Sequence, residues 1–157
     1  SQGAVAVITL KNPPVNALGA GLRTAIADGL ERATSDESVR AVVIVGSGNA
    51  FCGGADVGEF GSPAMSARPS LAEMLASIES SPKPVVAAIN GLALGGGLEL
   101  AMACHYSIDA AAAQIGLAEV KLGLLPGAGG TQRLTRLGHA ERAMHMIFTG
   151  HPLRSRT

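Results

Sequence analysis

Two glycine-rich segments hold the residues best suited to chemistry in this sequence. They are residues 51–56 (FCGGAD) and 94–99 (LGGGLE), and in each we expect an apolar strand, then glycines, then a turn into a helix. The first N–H groups of a helix have no internal hydrogen-bond partner, and the helix dipole adds positive potential there. Two such junctions facing one point would form a pair of donors for a developing oxyanion, each worth about 2.7–4 kcal/mol of transition-state binding. The spacing leaves open whether they converge, because tight turns alone would also explain such glycines.

Two glutamates stand close to these segments in the sequence. Glu119 lies in residues 115–127 (IGLAEVKLGLLPG), where charges are scarce. Desolvation in such a setting raises a carboxyl pKa and suits the group to general acid–base catalysis near neutral pH. Glu99 stands 20 residues earlier, one turn into the helix that follows the second glycine cluster. Structural roles remain open for both: Glu99 as a partner of the helix dipole, and Glu119 as a solvated loop residue beside Lys121.

Other site chemistries find little support in the residues. No Gly-Lys-Ser/Thr follows either cluster, so a phosphate-binding loop is excluded. Residues 46–48 (GSG) begin like a dinucleotide fingerprint, but Phe51 occupies the third glycine position. No serine has the context of a nucleophile elbow. Neither the histidines nor Cys52 and Cys104 show the spacing of metal ligands, so we expect no metal site.

Length, charge and composition limit the partners of the chain. Its 157 residues suffice for one hydrophobic core, burying roughly 70% of the unfolded surface. Twelve basic and twelve acidic side chains give a net charge of 0, which argues against nucleic acid as a partner. No apolar run is long enough to span a membrane, and the N-terminal residues lack a basic signal-peptide region, so we expect neither span nor secretory signal. The sequence has only two cysteines, and this low number favours a reducing compartment.

The pattern of apolar residues predicts alternating strands and helices. Residues 4–10 and 85–89 predict strands, and residues 41–45 predict a strand covered on both faces. A four-residue apolar repeat predicts a helix over residues 19–34. Ser70 and Glu73 form a capping box that starts a second helix, which Pro82 and Pro84 end.

The second half of the chain continues this alternation. Asn90-Gly91 predicts a tight turn into residues 92–94, before a short helix containing Leu98. Two further strands, over 106–108 and 114–117, precede a helix over 131–137 that stops at Gly138 and a last helix striped by Ala140, Ala143, Met144 and Ile147. Together the elements predict one α/β domain. Residues 153–157 are polar without caps or an apolar anchor, which leads us to expect a fragment of a longer protein.

Four blocks of sequence resemble the crotonase (enoyl-CoA hydratase/isomerase) family over nearly the whole chain. They are NPPVNAL, FCGGADV, KPVVAAINGLALGGGLELAMACHY and IGLAEVKLGLLPGAGGTQRL. The wording is most similar to the hydratase part at the N-terminus of peroxisomal-type bifunctional enzymes, which join it to a 3-hydroxyacyl-CoA dehydrogenase. Stand-alone bacterial hydratases are nearly as similar. The resemblance implies an α/β crotonase-like spiral of ββα units over residues 1–157, a core whose C-terminal helical part is missing.

The resemblance also implies a role for four positions. Ala55 and Gly96 would donate backbone N–H groups to the thioester oxygen of the substrate. Glu99 and Glu119 match the two glutamates that handle water and the proton in family hydratases. The expected reaction is hydration of trans-2-enoyl-CoA to 3-hydroxyacyl-CoA in fatty-acid β-oxidation. It needs no separate cofactor, because coenzyme A is part of the substrate.

Two departures from the family pattern accompany the resemblance. Gly53 stands where alanine is commoner, and Gly58 where many relatives carry a basic residue near the coenzyme A phosphates. The family implies a homotrimer or hexamer for a full-length protein, or a place within a multidomain bifunctional enzyme. It implies a bacterial cytoplasm or a peroxisomal matrix as location. A Δ3,Δ2-enoyl-CoA isomerase, a non-catalytic binding member and an inactive fragment remain alternatives.

Overall fold

The computed structural model of the chain describes residues 3–138 and 140–154. Strands and helices are interleaved through the described residues, but from β2 onward the strands come in consecutive pairs, which the predicted simple alternation does not show. Three short 3₁₀ segments, Val57–Glu59, Pro63–Ser66 and Glu119–Leu122, connect them. The elements are β1 (Val5–Leu10), α1 (Ala20–Ser35), β2 (Ala41–Gly46), β3 (Ala50–Cys52), α2 (Leu71–Glu79), β4 (Val85–Ile89), β5 (Leu92–Leu94), α3 (Gly96–Ala103), β6 (Tyr106–Asp109), β7 (Gln114–Gly116), α4 (Gly130–Leu137), α5 (Ala140–Thr149) and β8 (Leu153–Arg154).

Successive pairs of strands build two sheets at once. One sheet has the order β1-β2-β4-β6 and is parallel throughout. The other has the order β3-β5-β7-β8, with β3, β5 and β7 parallel and β8 antiparallel to β7. The pairs β2/β3, β4/β5 and β6/β7 therefore each give one strand to each sheet before the chain turns into a helical segment. This is the spiral of ββα units that the resemblance implies.

The Asn90-Gly91 turn joins the two sheets and forms no hairpin. β4 and β5 lie on either side of it, yet β4 pairs with β2 and β6 while β5 pairs with β3 and β7. Gly91 is required there because a Cβ atom would overlap the carbonyl oxygen of Asn49. The predicted tight turn is therefore wrong: the chain only bends at Gly91, and neither Asn90 nor Gly91 has the positive φ of such a turn. The glycine is explained instead by a close crossing of two main-chain segments.

Burial of the central strands differs from the prediction for residues 41–45. That strand is confirmed, but only alternate residues are fully buried, with Val42 and Ile44 in the core and Val43 half-buried. β4 alternates in the same way. The expectation of a strand covered on both faces is therefore wrong within the described residues: a continuous apolar run does not reveal how much of each face a chain covers.

The helix predictions for residues 19–34, for the segment after Ser70, for residues 131–137 and for the last helix are confirmed. The Ser70–Glu73 capping box is present with both of its hydrogen bonds, and α2 ends at Glu79 before the two prolines. Gly138 ends α4 in an extended conformation. Leu153 and Arg154 form the edge strand β8, and residues 155–157 lie outside the described residues.

Asn16 fastens the N-terminal loop to the strands that carry the first glycine cluster. It is 1% exposed, and its side-chain Nδ2 donates to the carbonyl oxygens of Ser47 (3.0 Å) and Ala50 (2.9 Å). The neighbouring main chain pairs with the glycines themselves: Gly53 N–H donates to Val15 O at 2.7 Å. The NPPVNAL block therefore has a physical role, which is to hold the chain that follows β3.

We predict that Asn16→Ala lowers the free energy of unfolding by about 2–4 kcal/mol, because it leaves several buried backbone groups without a partner. A further part of the loss comes from the left-handed φ of 56° at this position, which alanine adopts unfavourably. Urea unfolding measures the change. Asn49→Ala, at an exposed position, should stay within about 0.5 kcal/mol of the parent protein. Equal losses in the two variants would contradict the role of Asn16.

Candidate active site

The second glycine cluster begins a true α-helix. α3 starts at Gly96, directly after the short strand β5, and Gly95 holds a positive φ of 50° that turns the chain. Gly95 N–H donates to Gly116 O at 2.8 Å, which ties the turn to β7. As the first residue of the helix, Gly96 has an N–H group with no partner within the helix.

The first glycine cluster does not lead into an α-helix, contrary to the expectation of two alike junctions. After Gly54 and Ala55 the chain forms only the single 3₁₀ turn Val57–Glu59. Asp56 caps this turn by accepting a hydrogen bond from Gly58 N–H at 3.0 Å, as its sequence position suggests. A single turn has almost no macrodipole, so any donor strength here comes from the amide itself.

The structure nevertheless brings Ala55 and Gly96 together. A Cβ atom on Gly96 would stand 3.4 Å from Ala55 N, and one on Gly54 would stand 3.4 Å from Gly96 N. Within residues 3–138 and 140–154, neither of the two N–H groups donates a hydrogen bond to the protein. Both residues line one cavity. Two free backbone donors from separate segments thus lie side by side, although only one belongs to a helix.

The cavity that they line has a volume of about 440 Å³, within the range of small-molecule sites. Its walls are mostly apolar, and Glu99 and Glu119 line it as well. The apolar walls come from the 3₁₀ segments, the start of α2 and the loop before α4. These wall residues include Phe60, Met65, Leu71, Leu122, Leu124 and Leu125.

Glu99 is almost fully buried, at 2% exposure, and is held by main-chain donors. Its Oε1 accepts hydrogen bonds from Gly130 N–H at 2.7 Å and Ala128 N–H at 2.9 Å. A Cβ atom on Gly130 would stand 2.8 Å from the same oxygen, so a side chain at this position would displace the carboxylate. These two hydrogen bonds fix the carboxylate in one orientation. A glutamate that interacted only with the dipole of its own helix would not be fixed in this way.

Glu119 faces the same space from the other side. Its Oε1 lies 3.1 Å from the position that a Cβ atom on Gly95 would occupy. Its Oε2 is buried without a hydrogen-bond partner among the described residues. Burial raises the pKa of this carboxyl, and the nearby charge of Glu99 raises it further. The alternative of a solvated loop residue beside Lys121 therefore does not hold, since Glu119 is a partly desolvated carboxyl with one unsatisfied oxygen.

Sequence reasoning missed the pair that holds one wall of the cavity. Arg23 on α1 is 6% exposed and donates to the carbonyl oxygens of Pro69 (3.0 Å) and Ala64 (3.1 Å). It also pairs with Glu59 at 3.4 Å, whose other oxygen accepts from Ala20 N–H. The only available signal was an arginine among the apolar positions of a helix.

Other predicted features occupy structural positions. Cys52 is fully buried in the core, and burial raises the pKa of its thiol to about 12. Within the described ranges, no three His, Cys, Asp or Glu side chains cluster as metal ligands would. No helix in those ranges is long and apolar enough to cross a membrane. His139 lies outside the described residues.

The two sheets of ββα units, with a cavity lined by the residues that follow β3, β5 and β7, define the crotonase class of fold. An enoyl-CoA hydratase from Bacillus anthracis has the same fold, with a TM-score of 0.90 and 37% identity over 99% of this chain and 62% of that one. A Geobacillus kaustophilus enoyl-CoA hydratase subunit superposes with a TM-score of 0.90 at 40% identity, again over 99% and 62%. The predicted fold class is confirmed.

Sequence comparison extends the match from fold to family. The family model "Enoyl-CoA hydratase/isomerase" matches residues 1–156, so the chain belongs to that family. It is 56% identical to a peroxisomal bifunctional enzyme of Danio rerio over 93% of this chain. It is 45% identical over 95% of its length to a "Probable enoyl-CoA hydratase" of Bacillus subtilis. The chain spans 20% of the length of the first relative and 60% of the second.

The raised pKa of Glu119 predicts a pH-dependent gain in stability for Glu119→Gln. Ionising Glu119 costs more free energy in the folded protein than in the unfolded chain, because burial raises its pKa above the ordinary 4.5. This cost is absent below the ordinary pKa and develops as the pH rises through the raised one. Glu119→Gln should therefore increase the free energy of unfolding at neutral pH and leave it unchanged in acid.

Urea unfolding at several pH values checks this sign. Glu73→Gln is the matched control with the opposite sign, because hydrogen bonds from Ser70 lower the pKa of Glu73. That variant should lose stability at neutral pH, and the loss should vanish as the pH falls through the lowered pKa. A neutral-pH loss in Glu119→Gln would contradict the desolvated position of this carboxyl.

Proposed function

We propose that this chain forms the site of an enoyl-CoA hydratase, which adds water reversibly to a trans-2-enoyl-CoA to give a 3-hydroxyacyl-CoA. The observation that carries the proposal is the position of two free backbone N–H groups, of Ala55 and Gly96, beside two carboxyl groups in one apolar cavity. The names of the relatives agree with this reaction. An apolar cavity with few polar groups also suits an acyl chain.

The backbone donors act on the thioester carbonyl. Hydrogen bonds from Ala55 and Gly96 draw electron density towards the carbonyl oxygen, which makes C3 of the conjugated enoyl group electrophilic. When water adds at C3, negative charge develops on the thioester oxygen as an enolate. Fixed donors that are already aimed at this oxygen stabilise the charge without reorganisation.

The two glutamates complete the proton balance. Glu99, whose Oε1 already accepts two backbone hydrogen bonds, acts as the carboxylate that takes a proton from water as the oxygen bonds to C3. Glu119, whose raised pKa favours the protonated form, gives its proton to C2 as the enolate collapses. The sum is one water added across the double bond, and proton exchange with solvent restores both groups.

The context of the reaction follows from the relatives. We infer a role in fatty-acid β-oxidation, in a peroxisomal matrix or a bacterial cytoplasm, with coenzyme A entering as part of the substrate and no separate cofactor. The catalytic unit is either a homotrimer or hexamer, or the hydratase part of a bifunctional chain, with residues 1–157 as its core. Light scattering on the natural full-length protein distinguishes these assemblies.

We predict that Glu99→Gln and Glu119→Gln each reduce kcat for hydration by about 100-fold or more, because each removes one partner of general acid–base catalysis. The assay follows loss of the conjugated enoyl thioester in the natural full-length protein. Glu37→Gln, at an exposed position away from the cavity, is the control and should keep parental activity.

A 3-enoyl thioester assayed alongside tests the isomerase alternative. Two carboxyls in the cavity favour hydration, since moving a double bond needs only one group to shuttle the proton. Parental hydration rates in both glutamine variants would refute the assignment of the glutamates. Faster turnover of the 3-enoyl thioester than of the 2-enoyl thioester would identify an isomerase.

We also predict that Gly96→Ala lowers kcat/KM by about 100-fold, a loss as large as that of one oxyanion donor, because the added methyl group keeps the thioester oxygen from the two N–H groups. The new methyl group would stand 3.4 Å from Ala55 N, in the space that the thioester oxygen needs. Its other neighbours are flexible side chains, Leu71 at 3.1 Å and Leu18 at 3.6 Å, so the fold can adjust.

Steady-state kinetics measure the loss of activity in Gly96→Ala, and thermal unfolding measures any loss of stability that the new methyl group causes. Gly21→Ala is the matched control, because nothing lies within 4 Å of its Cβ position. Parental kcat/KM in Gly96→Ala would show that the thioester oxygen binds elsewhere.

A further inference from the structure

Arg133, the fourth residue of α4, lies behind the segment that holds Glu99. Its guanidinium forms a two-pronged ion pair with Glu79, the last residue of α2, with Nε–Oε1 and Nη2–Oε2 distances of 2.8 Å each. The remaining nitrogen, Nη1, donates to the carbonyl oxygen of Ala128 at 2.6 Å. The Arg133 side chain is 16% exposed and that of Glu79 is 48% exposed, so the ion pair reaches the surface while the guanidinium is largely covered.

Ala128 is therefore held on both sides. Its N–H donates to Glu99 Oε1 at 2.9 Å, while its carbonyl accepts from Arg133. Gly129, the next residue, has a φ of 97°, and a Cβ atom there would overlap Arg133 Nη1. Gly130 then supplies the second N–H to Glu99. The three residues form a loop between the guanidinium on one side and the Glu99 carboxylate on the other.

We propose that Arg133 and Glu79 are positioning residues for the reaction: they fix residues 128–130 so that both N–H groups point at Glu99 Oε1. The inference rests on the proposed hydratase function. Neither residue touches the substrate, and both act through the orientation of Glu99. Arg133 does not line the cavity, which separates this role from acyl binding.

Two further observations support the coupling. Hydrogen bonds to Glu79 are the main cause that raises the pKa of Arg133, and the charge of Glu99 adds to it, so Arg133 remains a cation near Glu99. The helix that ends at Glu79 begins with Leu71, whose side chain would stand 3.1 Å from a Cβ atom on Gly96. Helix α2 thus contacts the oxyanion donors at one end and the Glu99 support at the other.

Kinetics of Arg133→Ala in the natural full-length protein test this role. We expect kcat to fall by about tenfold to 100-fold, as a misplaced catalytic group requires, with KM for the enoyl thioester changed by less than about threefold. Glu79→Gln should cause a smaller loss in the same direction, and it serves if Arg133→Ala does not fold. Arg136→Ala, an exposed arginine on the same helix, is the control with parental kinetics.

A double variant separates positioning from general destabilisation. If Arg133 acts through Glu99, then adding Arg133→Ala to Glu99→Gln should lower kcat by no more than about twofold. A full additional loss in that background, or parental kcat in Arg133→Ala and Glu79→Gln, would overturn the proposal.

The amide resonances of Ala128 and Gly130 give a readout independent of activity. In the parent protein their hydrogen bonds to a carboxylate should displace the amide protons downfield. Arg133→Ala should move them upfield, whereas Arg136→Ala should not. Unchanged resonances would overturn the positioning role even if kcat falls. Absence of hydration in the parent protein would refute the proposed function, and these resonances would still decide the role of Arg133.

Discussion

The close packing of α3 against the main chain that follows β3 is the constraint on which the rest of the site depends. A Cβ atom on Gly97 would overlap the carbonyl oxygen of Cys52, and one on Gly54 would stand 2.8 Å from Leu94 O. Only glycines allow the two segments to approach so closely. Because they do, the Ala55 and Gly96 amides lie side by side, and neither donates to an acceptor among the described residues. The parallel sheets, the Asn16 anchor and the crossing at Gly91 all serve to bring these segments together.

The two carboxyl groups share one cavity but have different surroundings. Glu99 is held by the N–H groups of Ala128 and Gly130, which an ionised carboxylate accepts well. Glu119 has one oxygen with no hydrogen-bond partner in the part of the chain that the structure describes, and burial raises its pKa. Different surroundings for two like groups are a general means of giving one the role of base and the other the role of acid. The Arg133–Glu79 pair adds to this difference between the two glutamates, because it supports the segment that holds Glu99.

Sequence reasoning predicted the elements well because their signals are local. The capping box at Ser70, the apolar run of β4 and the stop at Gly138 each depend on neighbouring residues, and all are present in the structure. The two glycine clusters were also visible, but their meeting was not, since it depends on the crossing of separate strand pairs. The expectation of a helix after Ala55 was wrong, since only one 3₁₀ turn forms there. The pattern of strand and glycines indicates where a helical turn begins but not how many turns follow.

The residues that support the site could not be predicted from the sequence, for the same reason. Arg23 and Arg133 look like ordinary polar residues of amphipathic helices, and only the fold places their guanidinium groups against distant carbonyl oxygens. The pairing of Glu79 with Arg133 joins residues 54 positions apart. Resemblance to the family identified Ala55, Gly96, Glu99 and Glu119 as residues of interest, whereas the geometry supplied the physical reason for each.

A crystal structure of the natural full-length protein with a bound 3-hydroxyacyl-CoA tests the central claim most directly. We predict that the thioester oxygen lies about 2.7–3.1 Å from both Ala55 N and Gly96 N, the spacing of an oxyanion site. The 3-hydroxyl group should then lie within hydrogen-bond distance of a carboxyl oxygen of Glu99 or Glu119. A thioester oxygen that contacts neither amide, or a C3 hydroxyl remote from both glutamates, would contradict the account.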